Sequence, residues 1–227
     1  MTNLDRFIET FLNGSVLAKY TPSILQGVWV TIELSVLIVV AGTLWGALLA
    51  CIRAYRIWPV SFLIVIYADI FRAVPPLVLI LLVFFGLPSV GITLSSFAVL
   101  FVILGLTLGA FAEEIIWAGI TATDKGQWEA ARSTGLGFTQ TLGYVVLPQA
   151  VRMVIPPLTN RAIAITKMTA LGTVIGVPDI LNQATTAQSF SGNASPLTLA
   201  ALAYVVLFLP FVILSRWLES RFAWKKG

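Results

Sequence analysis

Five apolar stretches, each long enough to cross a lipid bilayer, decide what this chain can fold into. A helix needs about 20 mostly apolar residues to span the hydrocarbon core. Stretches at about 24–52, 59–86, 97–120, 147–176 and 197–218 reach that length. Pro75-Pro76 interrupts the second, and Arg152, Pro156, Pro157, Arg161 and Lys167 interrupt the fourth. A span tolerates such breaks only where protein or a watery cavity surrounds them. Charged residues make up 11% of the 227 and hydrophobic ones 58%, against roughly 25% charged in a soluble domain. Too little polar surface remains to cover a soluble globule, and the same figures exclude disorder. The expectation is an all-α membrane protein with about five transmembrane helices. There is no histidine and a single cysteine, Cys51. That excludes a histidine metal site, a zinc cluster, a Cys/His nucleophile and a disulfide scaffold. No catalytic residue and no metal ligand is assigned.

Lysine and arginine set the expected orientation. Arg53 and Arg56 follow the first stretch, Lys125 and Arg132 precede the fourth, and Arg216, Arg221, Lys225 and Lys226 follow the fifth. The connection around 87–96 has no charge, and the one around 178–196 has only Asp179. Basic connections therefore alternate with non-basic ones. The reading is N-terminus outside and C-terminus cytoplasmic, and the net charge of +4 is mostly this bias, with no nucleic-acid partner required. Residues 1–20 stand apart. Asp5, Arg6 and Glu9 argue against a signal peptide. Leu4, Phe7, Ile8, Phe11 and Leu12 recur at helical spacing, which predicts an amphipathic helix on the membrane lipid surface or, alternatively, a partner-docking face. Residues 21–227 form the transmembrane domain, with a cytoplasmic loop at about 121–148. Neither solenoid repeats nor two inverted halves are visible.

Ionisable groups at membrane depth are costly, so each needs a role. Glu33 lies in the first stretch. Asp69 and Arg72 share one helical face in the second; they either neutralise each other or place Arg72 on a polar path. Glu113 and Glu114 are adjacent in the third, and adjacent helical residues point about 100° apart. One of them is therefore expected to face the bundle interior or a cavity. Lys167, with Thr166 and Thr169, makes a further polar node, where the lysine pairs with a carboxylate or reaches to the cytoplasmic surface. Arg72, Glu114, Lys167 and Thr169 are the candidates for a substrate path. Gly42–Gly46, Gly105–Gly109 and Gly172–Gly176 match the small-xxx-small pattern, which serves packing within the chain or a dimer face.

The loop is the most informative stretch. Residues 127–134 read as a short helix between Gly126 and Gly135. Its middle, Glu129-Ala130-Ala131-Arg132, sets two methyl-sized side chains beside an i, i+3 pair of opposite charges. Small side chains leave a low-relief face that fits deep in a groove on another protein. A surface connector helix is the plainer alternative.

Glu129-Ala130-Ala131, then Gly135, then a stretch ending in Leu147-Pro148 resembles the EAA loop of ABC-importer permeases. Residues 125–132, Leu147-Pro-Gln-Ala-Val-Arg152, Pro156-Pro-Leu-Thr-Asn160, Phe71-Arg72-Ala-Val-Pro75 and Ala112-Glu-Glu114 with Gly119-Ile120 resemble the polar amino acid subfamily, the His/Glu/Gln/Arg/opine type. The resemblance runs from about residue 24 to the C-terminus. It implies a type I ABC importer-like permease in the bacterial inner (plasma) membrane, multi-pass. In it Glu129, Ala130, Ala131, Gly135, Leu147 and Pro148 would couple to an ATP-binding cassette subunit dimer. A second permease chain, identical or paralogous, and an extracytoplasmic substrate-binding protein complete the implied assembly. Three departures stand out: Trp117 where an arginine is usual, Ala73 where a glycine follows Arg72, and Lys167-Met168-Thr169 where a polar residue is usual in the middle. These allow a less polar or differently charged substrate, or an inactive partner half in a heterodimer.

No G-x-x-x-x-G-K-[ST] loop is present, so the chain has no phosphate cradle of that kind. ATP and magnesium would be used by the partner ATPase subunit, no cofactor is assigned to this chain, and the chain is expected to be non-catalytic. The rival classes are a stand-alone channel or secondary transporter using the intramembrane carboxylates, and an integral membrane enzyme. The second lacks a convergent nucleophile–base set.

Overall fold

The computed structural model describes residues 2–222. The tail lysines Lys225 and Lys226, used above for orientation, lie outside the described residues. All regular structure among the described residues is helical. The elements are α1 (Asn3–Phe11), α2 (Gly14–Ala54), α3 (Trp58–Ala73), α4 (Pro76–Gly86), α5 (Ser96–Ala122), α6 (Lys125–Ser133), α7 (Phe138–Thr141), α8 (Leu147–Lys167), α9 (Ile180–Ser191) and α10 (Ser195–Phe222). Three helices are long and apolar enough to cross a membrane, and the number becomes five when each of two bent pairs is counted as one span.

α5 is the centre of the bundle. Val99, Leu100, Leu104, Leu108 and Ala112 are buried along it, between α2 on one side and α8 on the other. Lipid tails are as apolar as leucine, so helix association here depends on close packing rather than on escape from water. The small-residue patterns supply that approach. A Cβ on Gly42 would come within 2.8 Å of the Gly105 carbonyl oxygen, and one on Gly46 within 2.5 Å of the Ala112 Cβ. The first and third stretches thus use their glycines on each other, within one chain.

Two breaks shape the bundle. Val74 is held extended before Pro75, as the steric demand of a following proline requires. The axes of α3 and the helical path after it then differ by 99°. The second break follows α8. The helical path begins at Phe138, earlier than the apolar pattern begins, and passes through a π-helical turn at Leu142–Val146. It continues through Pro156 and Pro157 and ends in a 3-10 turn at Met168–Ile175. Gly176, at φ +77°, stops it.

The connection expected around 178–196 contains a helix instead. Asp179 caps α9 by accepting the Asn182 N–H at 2.8 Å. The same carboxylate accepts the Thr173 and Tyr204 hydroxyls at 3.0 and 3.3 Å. Ile180, Ala184 and Ala187 are buried where α9 meets α2 and α10. Hydropathy passed over α9 because three buried positions among polar ones make no apolar stripe.

α1 forms as expected. Thr2 and Asp5 make a reciprocal cap at its start, and Leu4, Phe7, Ile8, Phe11 and Leu12 are all exposed. The Asn193 side chain donates to the Glu9 carbonyl at 2.8 Å, and the Asn13 N–H donates to the Ser195 hydroxyl at 2.9 Å. These bonds tie α1 to the start of α10.

Candidate functional site

α6 begins where Asp124 accepts the Gly126 N–H at 2.6 Å. It runs through Gly126, so the glycine expected before the helix lies inside it. It stops at Gly135, whose φ of +90° is open to glycine at little cost. Trp128 stacks on Phe138 with ring centres 5.4 Å apart, and Tyr55 packs on the same ring at 5.0 Å. α6 is thereby pinned to the ends of α2 and α7. Its two alanines differ: Ala131 is 8% exposed and faces its own chain, whereas Ala130 and Glu129 are exposed. The i, i+3 pair expected between Glu129 and Arg132 is not among the ion pairs of the described residues, which are Arg53–Glu113, Arg72–Asp69 and Arg72–Glu114. Leu147 and Pro148 form the first turn of α8, and Leu147 packs on the apolar cluster beneath α6.

The charged residues that pair at membrane depth form two separate groups, which leave out the exposed Glu33 and Lys167. Glu113 is fully buried and accepts from the Arg53 guanidinium at 3.0 and 3.3 Å. Arg53 belongs to the last turn of α2 rather than to a connection, and its guanidinium also lies 4.7 Å from the Trp117 ring centre. Glu113 is therefore the glutamate that faces the interior. Glu114, with its side chain 45% exposed, accepts from Arg72 at 2.5 Å, and Asp69 lies 3.9 Å from the same guanidinium. One turn before Glu114, the Phe111 ring lies 3.9 Å from the Arg161 guanidinium and 5.8 Å from that of Arg72. Two guanidiniums, two carboxylates and one aromatic ring thus converge where α3, α5 and α8 meet.

Of the four candidate path residues, Arg72 and Glu114 come together. Lys167 is exposed and pairs with no carboxylate among the described residues. Its ammonium lies 6.0 Å from the Phe208 ring centre, beside a cavity of about 410 Å³ that Tyr204 also lines. Thr169 is fully buried and its hydroxyl donates to the Thr166 carbonyl at 2.9 Å. Met168 packs on the apolar core. Arg161 and Phe111 join the polar group unannounced. In the sequence Arg161 reads only as an interruption of an apolar run, and nothing marks the ring on α5 that receives it.

The family described as binding-protein-dependent transport system inner membrane component matches residues 42–224. A probable glutamine ABC transporter permease and an arginine transport system permease, both of Bacillus subtilis, are each 32% identical over 212 residues. Each of these matches covers 92% of this chain and 97% of the relative. A chain from the crystal structure of an amino acid ABC transporter with histidines superposes with a TM-score of 0.82 at 35% identity, covering 90% of this chain and 96% of that one. A chain of the inward-facing MetNI methionine ABC transporter shares the fold, with a TM-score of 0.69 at 22% identity, covering 87% of this chain and 95% of that one. Matched by the family model over most of its length and by relatives over nearly all of it, this multi-pass chain belongs to the family of binding-protein-dependent transport system inner membrane components.

Proposed function

We propose that the chain is the permease subunit of an ATP-driven importer for a polar amino acid or a related small solute. The single observation that carries the coupling role is α6. It is a short helix pinned by Trp128 and Phe138, ended by a left-handed glycine, with Glu129 and Ala130 turned outward. Such a helix suits docking in a groove on a separate ATPase subunit. ATP-driven closure of an ATPase dimer would draw two such helices together and rock the spans between inward- and outward-facing states. A five-span chain forms half of a path, so a second permease chain is required. Substrate would arrive on an extracytoplasmic binding protein, and ATP with magnesium would stay on the ATPase.

Relatives named for glutamine, arginine and cystine transport support the substrate class. A free amino acid carries both a carboxylate and an ammonium, so its path needs both signs of charge. Arg72 and Arg161 offer the first, and Asp69 and Glu114 the second. Lys167 would stand farther along the path, open to the α10 side, and Thr169, fully buried, would brace the Thr166 carbonyl behind it rather than line the path. The stand-alone transporter is less favoured, because Glu113 and Glu114 each already hold an arginine.

The test uses the assembled transporter in proteoliposomes with substrate-loaded binding protein. Gly135→Arg is expected to abolish transport-coupled ATP hydrolysis while the chain still inserts. Normal coupling in that variant would overturn the docking role. Substitutions at Arg72, Glu114, Lys167 and Thr169 that leave uptake specificity unchanged would move selectivity to the binding protein.

A further inference from the structure

We infer that the cavity between α6 and the ends of α2 and α5 binds the phosphate-bearing headgroup of an anionic phospholipid. The cavity is about 400 Å³ and is bounded by Ala54, Ile120 and Phe138. Arg56, Lys125 and Arg132 line it, against the single carboxylate of Glu129. None of these three cations has an ion-pair partner among the described residues, whereas Arg53 and Arg72 both do. The excess of positive charge thus faces a space and not a carboxylate. Thr121 and Thr123, also on the wall, donate to carbonyls of α5, so the exposed cations are the polar groups free to take a ligand.

The cavity's depth favours a lipid over a soluble anion. Trp117 lines it five residues before the end of α5, or about 7.5 Å in along the helix. Trp128 forms a second aromatic wall. The space therefore reaches more than one turn up a spanning helix between two tryptophans, the residue type enriched at membrane interfaces. Arg56 stands in a left-handed conformation, at φ 56°, in the turn between α2 and α3. The next two residues, Ile57 and Trp58, are 53% and 76% exposed and offer acyl chains a surface leading away from the headgroup. Basic pockets between spanning helices hold anionic headgroups through this combination of cations and an apolar flank. The inference shares Glu129, at the rim of the cavity, with the proposed docking face of α6, but its cations Arg56 and Lys125 lie outside that face, and the lipid assay reads them without an ATPase.

Native mass spectrometry of the full-length chain in detergent, titrated with phosphatidylglycerol or phosphatidylcholine, tests the site. Phosphatidylglycerol is expected to be retained in preference to phosphatidylcholine. Arg56→Gln with Lys125→Gln should weaken that retention by about fivefold for each charge removed, and Arg56→Lys with Lys125→Arg should keep it. Equal retention in the neutral and wild-type chains would overturn the site. Displacement of phosphatidylglycerol by millimolar inorganic phosphate would overturn the lipid assignment in favour of a soluble anion. Unchanged retention together with lost ATPase-subunit co-purification would assign the cavity to the partner protein and overturn the proposal. If the double variant does not fold, Arg56→Gln alone carries the same comparison from its position in the turn. Loss of coupled ATP hydrolysis in Gly135→Arg with phosphatidylglycerol retention intact would leave both readings standing, and each fails on its own assay.

Discussion

Glu113 and Glu114 show how much one residue's step along a helix decides. They are adjacent, yet one is fully buried against Arg53 and the other is half exposed against Arg72. Their divergence was readable from helical geometry alone, and so was the expectation that one would face inward. The partner of the inward one was not readable. Apolar runs are judged to end at their first charge, so Arg53 reads as the start of a connection. α2 instead runs one residue past Arg53, and the guanidinium turns back to a carboxylate 60 residues away in sequence. Breaking a buried pair from one side leaves an uncompensated charge, at a cost of about 3–5 kcal/mol. Arg53→Met should therefore lower thermal stability in detergent by about that much. Arg53→Met combined with Glu113→Leu should recover a large part, because no charge is then stranded. A single variant as stable as wild type, measured by thermal unfolding, would show that the pair is not what holds α2 to α5 at that level.

At the scale of elements, apolar length and glycine spacing made the membrane helices legible, and short elements held by other chain segments were not. α9 depends on its own cap Asp179 and on Thr31 and Gly27, both of them about 150 residues away on α2. Gly27 has no room for a Cβ, which would lie 2.7 Å from the Asp179 carbonyl oxygen, and the Thr31 hydroxyl accepts the Ile180 N–H at 3.4 Å. α6 was legible as a helix, but its two alanines looked equivalent. Burial separates them. Ala131→Leu should overpack the cluster beneath α6 and cost about 1–3 kcal/mol of stability. Ala130→Trp should leave the thermal transition nearly unchanged and reduce co-purification with the ATPase subunit. Equal effects of the two substitutions on both measurements would contradict the two-sided reading of α6. The α2–α5 crossing makes a parallel case. Gly46→Val places branched carbons where one Cβ already falls 2.6 Å from the Gly109 carbonyl oxygen. The helices must separate, and a lower thermal transition together with loss of the Arg53–Glu113 pair is expected. The buried pair and the glycine crossing sit less than three turns apart on α2, so a double variant at Gly46 and Arg53 should cost less than the sum of the singles.

For the molecule as a whole, the two ends of the bundle differ in charge. One end gathers Ala50, Ala54, Ile116, Ile120 and Leu142 beneath α6, with Arg56, Lys125 and Arg132 around it. The other gathers Ile24, Ile180, Ala184 and Ala200, and its connections carry few cations, with Lys19 exposed near the start of α2. The carboxylate at that second end, Asp179, is buried and satisfied by hydroxyl and amide donors rather than by lysine or arginine. Lysine and arginine near span ends are retained on the cytoplasmic side, so the α6 end should be cytoplasmic and the α9 end external. The same orientation is the one that the proposed docking of α6 on an ATPase requires. Single cysteines in a Cys51→Ser background decide it. Ser89→Cys and Ser189→Cys, both at exposed positions of the α9 end, should react with a membrane-impermeant maleimide in right-side-out vesicles. Ser133→Cys, exposed at the end of α6, should react only in inverted or permeabilised ones. The reverse labelling pattern would place α6 outside, where no ATP-bound subunit could reach it, and would remove the coupling role together with the orientation.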